Sequence, residues 1–100
     1  MTEEKWIEKF NVEIEDSAKR GEYTNFVRIQ HSPLDFRLDL ARVVQEDRAI
    51  YVHSRVFMSP QHAKLFLQAL QDNVAKYEKQ FGAIAVGTER LFEAPSKQKH

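Results

Sequence analysis

FVRIQHSPLDFRLDL, residues 26–40, alternates apolar and polar side chains on both sides of His31-Ser32-Pro33. A period of two is the mark of half-buried β-strands. Val27 and Ile29 fall on one side of the first strand, with Phe26 and Arg28 on the other; Phe36, Leu38 and Leu40 oppose Arg37, Asp39 and Ala41 in the second. Proline has no N–H to give to a ladder and pushes Ser32 towards extended backbone, so a turn separates the two runs. Ser32 and Asp35 supply side chains that bond turn backbone, which makes this a rigid corner that sets the register. The polar side of the pair is unusual because it carries an aromatic, Phe26, among Arg28, Arg37 and Asp39.

Outward from this hairpin the same period recurs. Phe10, Val12 and Ile14 alternate with Asn11, Glu13 and Glu15, and predict a first strand that ends in turn chemistry over residues 16–21. The second strand covers about 23–30. After a polar turn at 45–48, a fourth strand places Ile50, Val52, Val56 and Met58 on one face and Tyr51, His53, Arg55 and Phe57 on the other. Ser59 then caps a helix that has Pro60 at its first position, where a missing N–H is harmless. Ala63, Leu67, Leu70, Val74, Tyr77 and Phe81 recur at gaps of four and three with Phe66 alongside, and Gly82 stops the run.

These elements predict an α+β domain: a four-stranded antiparallel meander with one long C-terminal helix packed on one face. The helix is too short for a coiled-coil seam and is expected to use its stripe on its own sheet. Residues 1–9 are read as a flexible or short helical lead, 10–84 as a single domain, and 85–100 as a mostly disordered tail.

One hundred residues with 42% hydrophobic side chains suit one core of modest stability. Fifteen basic residues balance fifteen acidic ones, so the net charge is zero, which argues against nucleic acid as the main partner. The absence of cysteine excludes disulfides, thiolate catalysis and cysteine-ligated zinc. The acidic start lacks the pattern of a signal peptide, and no apolar run spans a bilayer, so a cytoplasmic location without membrane association is expected.

With a helix on one side of the sheet, the other displays Phe26, Tyr51 and Phe57 interleaved with Arg28, Arg37, Asp39, His53 and Arg55. Aromatics mixed with arginine are the composition of interfaces. Three occupants are open: the chain's own ends (Trp6, Leu91, Phe92), a second subunit packed sheet on sheet, most simply in a dimer, or single-stranded nucleic acid stacked on the aromatics.

Catalytic and metal chemistry find little support. His31, His53 and His62 lie in different elements without zinc spacing. His31, Ser32 and Asp35 carry the letters of a triad but sit too close in sequence for its geometry. The glycines at 21, 82 and 87 are isolated, so no phosphate loop exists. No catalytic site, cofactor or metal is expected.

Taken together, GEYTN (21–25), HSP (31–33) with DFRLDL (35–40), SRVFMSPQHAK (54–64) and YEKQFGAI (77–84) resemble the bacterial family known as domain of unknown function 3467 (DUF3467). Asp35 stands where that family usually has Glu, and Leu40 where Phe is usual. The resemblance implies a compact, non-secreted bacterial domain and brings no activity. The order of strands followed by a long helix also resembles the SecB export chaperone in topology. The expected function is therefore a non-enzymatic, homo-oligomerising protein-interaction module, with SecB-like binding of unfolded or partner polypeptide as the alternative and single-stranded nucleic-acid binding as the second.

Overall fold

The computed structural model describes residues 8–87. Trp6, Leu91 and Phe92, considered as covers for the sheet, lie outside the described residues, as do most of the predicted lead and tail. In chain order the elements are a helical turn α1 (Asp16–Lys19), strands β1 (Phe26–His31), β2 (Phe36–Val44) and β3 (Ala49–Met58), and helix α2 (Pro60–Phe81). The fold is α+β, with an antiparallel sheet in the order β1-β2-β3 followed by the C-terminal helix.

The hairpin between β1 and β2 forms as its sequence requires. Ser32 N–H donates to the Asp35 carbonyl at 2.9 Å. The Ser32 hydroxyl donates to Asp35 Oδ1 at 3.0 Å and accepts from the Leu34 and Asp35 N–H groups at 3.1 and 3.2 Å. All these bonds stay within the turn, so these residues fix register. The resulting ladder pairs Arg28 with Asp39 and Ile29 with Leu38.

The predicted first strand is not present. Residues 11–15 join no regular element and run into α1. Alternation specifies which side chains would share a face, but a strand also needs an edge to pair with.

A second departure lies in β3. Leu40 pairs with Ser54 and Ala41 with Val52, so His53 is the extra residue of a β-bulge. Beyond the bulge the alternation is reversed. Ile50 and Val52 share a face with Arg55 and Phe57, whereas Tyr51, opposite Arg42, lies on the face of Leu38 and Leu40.

Helix α2 begins and ends where its sequence says. The Ser59 hydroxyl accepts from the His62 N–H at 3.1 Å, Pro60 opens the helix, and Gly82 closes it at φ 101°, in the left-handed region that favours glycine. The helix is not packed on the sheet through its stripe, contrary to expectation. None of its residues is buried, and its main contact is with β3, the strand that leads into it. Ala63 and Leu65 near its start are half-buried; from Phe66 onward the stripe is exposed, Leu67 by 53% and Leu70 by 51%. Among the described residues, Leu38 and Ala41 are the only buried hydrophobic side chains, both in the central strand.

Candidate interaction face

The register lines up Arg28, Asp39 and Arg55 in one row across the three strands. Asp39, in the central strand, is 1% exposed. Arg28 donates from Nη2 and Nε to its Oδ2 at 2.8 and 3.3 Å. Arg55 donates from Nε to Oδ1 at 2.7 Å and from Nη2 to Oδ2 at 3.2 Å. Arg37, two residues back on the same strand, brings Nε to 4.0 Å from Oδ2 and donates from Nη2 to Gln30 Oε1. Its Nε is buried without a hydrogen-bond partner.

This crowding sets the protonation state. Hydrogen bonds from Arg55 and then Arg28 hold the Asp39 carboxyl far below the usual carboxylate range, against the opposing effect of burial. Asp39 in turn raises the Arg55 guanidinium. Three guanidiniums share one carboxylate, which leaves two positive charges on this patch. Their side chains remain 40%, 31% and 47% exposed for Arg28, Arg37 and Arg55, so the excess charge faces outward. Beside them Phe26, Arg28, Asp39, Ala41, Ile50 and Val52 line an open hollow of about 300 Å³. Phe57, 60% exposed, sits across from Arg37.

Seven of the eight residues named from sequence thus gather on or beside one face: Phe26, Arg28, Arg37, Asp39, His53, Arg55 and Phe57. His53, at the bulge, has Nε2 2.7 Å from Thr24 Oγ1 and Nδ1 3.0 Å from Ser54 Oγ, which ties the chain before β1 to β3. Tyr51 belongs to the opposite face because of the bulge. Its hydroxyl donates to Asp47 Oδ2 at 2.8 Å, and that bond raises its pKa. Alternation alone misses Ile50 and Val52. The signal that would have found them is the pairing of small Ala41 against Val52 rather than His53, which becomes visible only once the ladder is built.

Permanently charged arginines around an ionised, fully engaged carboxylate are suited to recognising anions, with the aromatic and aliphatic rim adding apolar contact. No group of His, Asp and Glu among the described residues is arranged to hold a metal ion. No helix among them is long and apolar enough to cross a membrane.

Neither a curated protein nor a solved structure matches the chain. A family model, described as protein of unknown function (DUF3467), matches residues 1–86. That match runs through the arginine row, the bulge and the whole of α2, and the chain belongs to this family.

Proposed function

We propose that the protein is a non-enzymatic, self-associating protein-interaction module, with the Phe26–Arg28–Arg37–Asp39–Arg55–Phe57 face as its recognition surface. The observation that carries this reading is how little apolar surface is buried among the described residues, beside the length of the exposed helical stripe. Phe66, Leu67, Leu70, Val74, Tyr77 and Phe81 are 39–66% exposed. At 100° per residue they occupy a single arc of about 100°. At roughly 80 Å² apiece they leave about 500 Å² of apolar surface on one helix. Two copies covering each other's stripe bury about 1,000 Å², close to the roughly 1,200 Å² at which stable interfaces begin. Exposed Ile29 and Val56 on the sheet extend the area. A large apolar patch on so small a domain is the usual mark of an interaction surface.

Light scattering over a concentration series tests this. The wild-type chain is expected to show the mass of a dimer or larger assembly, and Leu70→Asp to weaken association at least about tenfold. A monomer mass for the wild type at every concentration contradicts it.

The same exposed stripe favours a second reading, in which this surface holds unfolded polypeptide as a SecB-like chaperone does. Suppression of aggregation in a denatured client, lost in Leu70→Asp, supports that reading; a client that aggregates unchanged counts against it.

A further inference from the structure

We propose that residues 11–15 of a second copy add to the free edge of β1 as the fourth strand of the sheet, with Glu13 set beside Arg28. The proposal deepens the self-association reading and rests on it.

Three observations converge on this occupant. First, residues 11–15 have the pattern of a strand but join none, and Val12 and Ile14 are 79% and 59% exposed. Second, among the described residues the order β1-β2-β3 leaves two edges. The edge at β3 carries the bulge at His53, a device that disrupts strand addition, whereas β1 pairs with β2 without a register shift. Third, the faces match. β1 shows Phe26, Arg28 and Gln30 on the arginine face and Val27 and Ile29 on the apolar face. An antiparallel partner with Glu13 opposite Arg28 sets Val12 beside Ile29 and Ile14 beside Val27, with Glu15 next to Phe26. A slip by one residue would put both carboxylates on the apolar face, so the facing of the strand is specified.

The charges agree as well. The arginine cluster has two positive charges more than Asp39 neutralises, and Glu13 and Glu15 bring two carboxylates to that face. Opposite charges directly across strands stabilise a sheet.

The strand comes from a second copy because of how the chain enters β1. Thr24 Oγ1 donates to the Ala41 carbonyl at 3.2 Å and lies 2.7 Å from His53 Nε2, so it reaches across β2 to β3. Thr24 is thereby held on the side of β2 and β3, and in the single chain residues 11–15 pair with no strand. A two-fold exchange covers the β1 edge of both copies at once, the usual economy of swapped elements.

Amide hydrogen exchange on the full chain, read with light scattering, tests the proposal. The expected result is a wild-type oligomer whose amides in residues 11–15 are protected at high concentration and exchange freely on dilution. Val12→Pro, which removes a ladder donor, and Glu13→Lys, which faces Arg28 with a like charge, are expected to weaken association at least about tenfold. Both positions are exposed in the single chain, so neither change disturbs its fold. An oligomer with no protection there, indifferent to both substitutions, overturns the strand exchange and leaves self-association standing. Protection that persists in a dilute monomer overturns it in favour of pairing within one chain. A wild-type monomer at all concentrations defeats both.

Discussion

Asp39 is the residue on which the three strands converge. It stands in the middle of β2, takes hydrogen bonds from β1 through Arg28 and from β3 through Arg55, and has almost no contact with solvent. A buried carboxylate is tolerated only when its charge is met this fully. Because its pKa is depressed in the folded state, its contribution is complete above the ordinary carboxylate range and is lost as pH falls below about 4. Denaturant titrations of the wild type at pH 7 and pH 3 should therefore show a fall in stability. Asp39→Asn is expected to cost about 1.5–3 kcal/mol at pH 7. The lower part of that range is favoured, since the arginines left behind are partly solvated. The variant should lose less than the wild type on acidification. An equal fall in both would mean that Asp39 is not the group responsible.

At the scale of elements, sequence and structure agree where local chemistry is decisive. The His31–Asp35 turn, the Ser59 cap, Pro60 at the helix start and Gly82 at its end are each written in residues whose backbone preferences act alone. Ser59→Ala should accordingly cost about 1 kcal/mol, measured by chemical denaturation followed through helical circular dichroism; an unchanged midpoint would show that the cap contributes nothing. Legibility stops where a second segment takes part. The bulge at His53 depends on how β2 and β3 align, and it moves Tyr51 off the arginine face while bringing Ile50 and Val52 onto it. The Phe10–Val12–Ile14 alternation reads as a strand, but whether it finds an edge is a property of the assembled sheet. The helical stripe is equally plain in sequence, yet periodicity says only that one face wants cover and not whose surface supplies it.

Across the whole molecule, the described residues have the elements of a globular fold and little buried interior. Two hydrophobic residues are buried among those described, while a 22-residue helix keeps its apolar side in contact with water. Burial of apolar area is the main favourable term in folding, so the burial among the described residues sets little against their conformational entropy. In the proposed assembly, association supplies further burial and couples folding to concentration. In that proposal the arginine face and the helical stripe have separate tasks: the stripe offers apolar area, and the charged face selects carboxylates.

The most direct test of this account is the thermal unfolding midpoint measured over a hundredfold or so range of protein concentration. If a second copy completes the core, the midpoint rises steadily with concentration. A cooperative transition whose midpoint does not move, at a monomer mass throughout, would contradict it: one chain would then be sufficient for its own fold.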